Sequence, residues 1–240
     1  MTGPVLSILG GILVLLAFPA ARRLADHLLA RADHAWSASS RDWARASAAP
    51  VEVMTSIEAL TLSGHPALEP RIQWALRGFW AVATAAALWG SESPVQAGLL
   101  LVASLTLLVA ALADLRAKIL PEPCVALFAA CGVLACLLDH GPLPSDALVG
   151  ALVGFSAFFT LQIGFRLLRG KEMLGLGDVK LFAAAGLWVG WQGLAMVGLI
   201  GSLLGILQFA VTKGSDDRAI AFGPALALAT LVVLGFLSAS

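Results

Sequence analysis

The chain has 240 residues, of which 59% are hydrophobic and 12% charged. The charged fraction is about half of what a soluble domain carries, which excludes most soluble enzymes, a disordered regulator and a nucleic-acid binder, since the last needs a basic patch. Fifteen Lys and Arg balance fifteen Asp and Glu, so the information lies in where the charges sit rather than in their sum.

Apolar stretches approaching the length of a bilayer crossing, about 20 residues, recur along the chain. In order they are 5–21, 72–90, 95–113, 125–138, 147–165, a stretch of 33 residues at 179–211, and 221–237. The 33-residue stretch is too long for one straight crossing and slightly short for two. Trp188, Gly190, Trp191 and Gly193 stand at its middle, and aromatics with glycines suit a tight turn at an interface. Division into 179–190 and 193–211 gives an all-α, polytopic integral membrane protein with about eight transmembrane helices.

Charge placement tests this plan. With eight crossings and Met1 outside, the inner segments are 22–71, 114–124, 166–178 and 213–220, and all fifteen Lys and Arg lie in them or within a turn or two of their edges. The outer loops, around 91–94, 139–146 and 191–192, hold none. That asymmetry is the positive-inside rule at work, and it places the protein in a cytoplasmic membrane with its N-terminus outside. The first apolar run is preceded by no basic residue and followed by Arg22 and Arg23, the reverse of a secretory signal, so it is expected to stay as a helix. After it, residues 22–45 carry leucines and tryptophans at near-helical spacing with arginines between, which predicts an amphipathic helix along the inner membrane face. Residues 46–71, with Pro50, Gly64, Pro66 and Pro70, predict a loop. This gives two parts: residues 1–71, the first helix with its cytoplasmic amphipathic segment, and residues 72–240, a seven-helix membrane core.

An ionisable residue near the membrane is costly and is a functional candidate by default. Two acids stand out. Asp114 directly follows the third span, and Asp178, within Gly175-Leu-Gly177-Asp178-Val-Lys180, directly precedes the sixth. The topology sets both at the inner ends of helices, where they can converge. Two carboxylates in a partly dry site do not readily ionise together, so one keeps a proton while the other acts as base, the equipment that activates water and protonates a leaving amine. Spacing alone leaves other readings open: Asp178 as a helix cap, and Asp114 in a surface ion pair with Arg116 or Lys118.

The motif around Asp178, running from Gly175 through Lys180 and Leu181 to Gly186, resembles the signature of the type IV prepilin peptidases, which are GxGD membrane aspartyl proteases. Asp114 with Pro121 seven residues on is similar to that family's first aspartate motif. Phe222-Gly223-Pro224 is similar to a third family feature in the last helix. The resemblance covers residues 112–228, within a peptidase-like region of about 95–238. It implies cleavage of prepilin or pseudopilin leaders at the cytoplasmic face, just before the substrate's hydrophobic helix. Asp114 and Asp178 are then the catalytic pair, Gly175, Gly177, Lys180, Pro121, Gly223 and Pro224 support the motifs, and no metal or cofactor is required. The implied partners are a prepilin or pseudopilin precursor and the lipid bilayer, and not nucleic acid. Longer members carry a cysteine-rich cytoplasmic region linked to zinc and to N-methylation. Residues 22–71 contain no cysteine, so the chain is expected to be a short form without methyltransferase activity. Glu122 follows Pro121 where an Asp or Asn is more usual.

Two other readings of the chain exist: a catalytically silent scaffold of a pilus or secretion machine, and a small ion-coupled transporter. Transporters place such acids near the midplane of broken helices, whereas these two sit at helix ends. Cys124, Cys131 and Cys136 are spaced seven and five apart, unlike a metal site, and are expected to be small buried apolar residues. His27 and His34, with Asp26 and Asp33 beside them, read as a wet helix face. The tryptophans are expected mostly as interfacial anchors. Gly186, Gly190 and Gly223 fit close helix packing, and Arg166, Arg169 and Lys171 are placed to attract an acidic residue of a substrate.

Overall fold

The computed structural model describes residues 3–46, 70–91, 93–169, 174–211 and 221–239. The described residues form seven helices: α1 (Gly3–Ala46), α2 (Pro70–Trp89), α3 (Pro94–Ala117), α4 (Glu122–Leu137), α5 (Pro144–Arg169), α6 (Leu176–Val211) and α7 (Gly223–Ala239). Four stretches within them are long and apolar enough to cross a membrane: Val5–Arg31, Pro94–Leu115, Pro144–Leu168 and Leu176–Gln208. The protein is therefore an all-helical, multi-pass membrane protein. The apolar helices α4 and α7 are shorter. At 1.5 Å per residue each reaches about 25 Å, a little less than the hydrocarbon core.

The seven helices contain eight helical segments, because α6 is two. Gly190 breaks it with φ 68° and ψ 178°, a combination that essentially only glycine adopts. A Cβ built on Gly198 would lie 3.4 Å from the Phe182 ring. In a straight helix those positions, sixteen apart, are separated by about 24 Å. The limbs on either side of Gly190 thus fold back against each other, as the Trp188–Gly193 sequence predicts. Gly190 makes the turn and also packs closely, since a Cβ on Gly150 would lie 2.8 Å from its carbonyl carbon; it stands beside Pro142 of the α4–α5 connection and Asp146 in the first turn of α5.

Gly186 does serve close packing. Its Cβ would sit 2.4 Å from the Gly150 carbonyl, and one on Gly154 would sit 2.9 Å from the Phe182 carbonyl. The first limb of α6 therefore runs against α5 backbone to backbone, as small residues permit in membranes.

At the N-terminal end, the expected boundary near residue 21 is absent. α1 runs unbroken from Gly3 to Ala46, so residues 22–45 continue the first helix instead of forming a separate one. No glycine or proline lies between residues 20 and 46 to stop it. Ser7, Val14, Phe18, Ala21, Ala25 and Leu29 are buried along one stripe that crosses the expected boundary, packing α1 onto α2 and α3. Ile8, Ile12 and Leu16 on the other face are exposed, as lipid contact requires. The expected loop at 46–71 falls, beyond Ala46, almost wholly outside the described residues.

Two tryptophans depart from interfacial anchoring. Trp80 is fully buried and donates its indole N–H to the Ser104 hydroxyl and carbonyl oxygens at 3.2 Å, joining α2 to α3. Trp188 is buried, donates to the Phe128 carbonyl at 2.9 Å and stacks on that ring, joining the first limb of α6 to α4. Trp89, at the end of α2, and Trp191, at the α6 bend, are exposed, as interfacial anchors would be. The three cysteines are buried and free.

The bend gives a first test. Gly190→Ala and Gly190→Asn should each lower stability by about 1–3 kcal/mol, because neither residue tolerates this backbone conformation. Thermal unfolding in detergent micelles measures the loss. A stability equal to wild type in both would mean the limbs are joined in some other way.

Candidate functional site

The two aspartates arrive from different helices. α3 begins with Ser93 accepting a hydrogen bond from the Gln96 N–H at 3.1 Å. It ends at Lys118, whose left-handed conformation (φ 54°, ψ 35°) lets its N–H close on the Asp114 carbonyl at 2.8 Å. Asp114 thus stands in the last turn of α3. The chain then passes through Ile119 and Leu120 to Pro121, which is extended (φ −63°, ψ 122°) and starts α4. Asp178 lies in the first turn of α6, where its backbone N–H meets the Gly175 carbonyl at 3.1 Å.

Both side chains are buried, Asp114 to 5% exposure and Asp178 to 9%. Asp114 is therefore a buried group and not a surface one. Both line one pocket of about 280 Å³, whose walls include Leu120, Gly175, Gly177 and Lys180. The two aspartate motifs also touch directly, since a Cβ on Gly177 would lie 2.8 Å from that of Leu120. Glycine at 177 is what lets the α3–α4 connection lie against the start of α6.

The carboxylates differ in their partners. Oδ2 of Asp114 accepts the Gly223 backbone N–H at 2.8 Å in a buried contact. That N–H opens α7, so the positive end of a helix faces the carboxylate. A Cβ on Gly223 would stand 2.7 Å from the same oxygen, which makes glycine a steric requirement. Pro224 follows in the first turn, where a missing N–H costs nothing. By contrast, Oδ1 of Asp178 is buried with no hydrogen-bond partner among the described residues. Such an atom is rare in a folded interior, and here it belongs to a residue that lines the pocket.

Lys180 pairs with Glu122, an ion pair that ties the start of α4 to α6. The Glu found after Pro121 therefore has a definite partner. Two contributors escape a reading by motif. Leu120 is the surface on which Gly177 rests. Gln162 on α5 is buried and donates its side-chain N–H to the Leu174 carbonyl at 3.1 Å, holding the chain just before Gly175. Its signal was available, as Gln162 is the one carboxamide in the apolar run 147–165. His27 is exposed on α1, and the His34 side chain lies outside the described residues. Arg166 is exposed, whereas the Arg169 side chain and Lys171 lie outside them. Among the described residues no group of three or more His, Cys, Asp or Glu is arranged to hold a metal ion.

The Gly223–Asp114 contact is testable by a double-mutant cycle. Gly223→Ala should cost about 1–3 kcal/mol by overpacking, read as a lower unfolding temperature in micelles. Asp114→Ala removes the colliding atoms, so Gly223→Ala should cost much less in that background. An equal cost in both backgrounds would mean that the two residues are not in contact.

Residues 101–210 match the type IV leader peptidase family. Curated relatives named prepilin leader peptidase/N-methyltransferase agree. That of Aeromonas hydrophila is 37% identical over 50% of this chain and 43% of its own length. That of Escherichia coli K12 is 37% identical over 61% of this chain and 66% of its own. That of Pseudomonas aeruginosa PAO1 is 34% identical over 58% and 49%. The chain thus spans about half the length of most curated relatives it matches. No solved structure matches it. The matched segment carries Asp114 and the whole Gly175–Lys180 motif inside a bundle of apolar helices, and over that segment the chain is similar to the type IV leader peptidase family.

Proposed function

We propose that the protein is a membrane-embedded aspartic endopeptidase that removes the leader peptide of a type IV prepilin or pseudopilin at the cytoplasmic face of a prokaryotic inner membrane. The observation that carries this reading is the pocket shared by two buried carboxylates, Asp114 and Asp178. In it, one carboxylate takes a proton from water as the water oxygen attacks the scissile carbonyl. The other carries the proton that the departing amine nitrogen receives as the C–N bond breaks. Gly223 holds Asp114 in place through its N–H, Gly175 leaves the space beside the Asp178 carboxylate clear of a side chain, and Gly177 makes room for Leu120.

The orientation rests on charge. With the dyad facing inward and the N-terminus outward, all fifteen basic residues lie on or near the cytoplasmic side. The substrate is then a polar leader on that side joined to an apolar helix in the bilayer. Methylation of the cleaved product is not part of this reading, because the cysteine-rich segment associated with it has no counterpart in residues 22–71.

Co-expression with a candidate prepilin tests the proposal, with leader removal followed by mobility shift and mass spectrometry. Asp114→Asn and Asp178→Asn each remove a charge with little change of volume, and each should lower the cleavage rate by a factor of about 100 to 10,000. The mass of the mature N-terminus should carry no added methyl group. Cleavage that persists in both variants would end the aspartyl mechanism and favour a silent scaffold.

A further inference from the structure

Beside the dyad pocket lies a second, open groove of about 370 Å³ between α4, α5 and the first limb of α6. Its surface is mostly apolar, with Ala126 and Ala129 from α4, Ala151 from α5 and Ala183 from α6 alongside the larger Phe155 and Leu187. The groove shares Glu122, Val125 and Lys180 with the pocket that holds Asp114 and Asp178. The two hollows are therefore neighbours across a common wall, and that wall carries the Lys180–Glu122 ion pair.

We propose that this groove seats the apolar helix of the substrate, with the Lys180–Glu122 pair marking the passage from helix to scissile bond. The inference rests on the peptidase reading and gives it a binding surface. A polar leader reaching the dyad must continue into an apolar helix, and the polarity of the two hollows changes in the same order. The dyad pocket is ringed by charged groups, the ion pair stands at the junction, and alanines follow. Alanines suit a helix as occupant. Between helices in lipid there is little hydrophobic drive, and association depends on close backbone approach over small residues. The ion pair adds charge complementarity, since its two members neutralise each other when the groove is empty and offer one charge of each sign to a polar segment passing between them.

A photo-crosslinking residue at position 126 tests the assignment, with position 203 as control. Leu203 is exposed on the second limb of α6 and does not line the groove. The full chain carrying Asp178→Asn is reconstituted in liposomes with a prepilin that the wild type cleaves. The label at 126 should attach to the prepilin's apolar helix, and the label at 203 to lipid. In the active enzyme, Ala126→Phe should lower kcat/KM by about tenfold or more with an unchanged unfolding temperature, while Leu203→Phe leaves it as it was. If the wild type cleaves the prepilin but position 126 reaches only lipid, or both positions capture it equally, the groove assignment falls alone. If the wild type cleaves no prepilin and neither position captures one, the peptidase reading fails and the groove assignment with it.

Discussion

A carboxylate buried at the edge of a membrane must find hydrogen-bond donors within the protein, and much of this fold follows from how Asp114 does so. Its donor is the Gly223 N–H at 2.8 Å, a group that the start of any helix leaves unpaired. One contact therefore satisfies a buried acid and a helix terminus together. It also locks the end of α3 to the start of α7 across 109 positions of sequence. The approach is possible only because residue 223 has no Cβ.

That contact requires the chain to return repeatedly to one side of the bundle. Gly190 makes the decisive reversal, and the glycine seam of Gly150, Gly154 and Gly186 holds the first limb of α6 against α5. The start of α6, its far end and the start of α7 then all lie on the side where α3 ends. Asp178 reaches the neighbourhood of Asp114 through this routing, with Leu120 resting on Gly177 as the local fit. The glycines thus have three separate duties: a turn at 190, backbone contact at 150 and 186, and clearance for a carboxylate at 223.

The two acids end in unlike settings. Asp114 is held by a helix N-terminus, whereas Asp178 keeps one buried oxygen without a partner among the described residues. Such an oxygen costs stability, and functional sites are where proteins retain groups of that kind. The proposed dyad accordingly has one member held by a helix N-terminus and one with a buried oxygen that no described group satisfies. Beside it, the Lys180–Glu122 pair separates a polar pocket from an apolar groove, which matches a substrate that is itself polar on one side of the cut and apolar on the other.

Apolar runs determined the all-helical membrane class, most of the helices and the reversal within α6, because these follow from composition and from what glycine and aromatics do locally. The motif residues Asp114, Gly175, Gly177, Asp178 and Gly223 were legible by their order in the chain. Tertiary structure alone decided the rest. It carried α1 past residue 21 without a break, since a stripe from Ser7 to Leu29 packs on α2 and α3 whatever the flanking arginines suggest. It moved Trp80 and Trp188 into the core by giving their indole N–H groups acceptors on neighbouring helices. It brought the two aspartates to one pocket, made Gly223 the donor to Asp114 and gave Glu122 its lysine. Each of these is a contact between residues far apart in sequence, and spacing along a chain holds no distance between helices until their packing sets it.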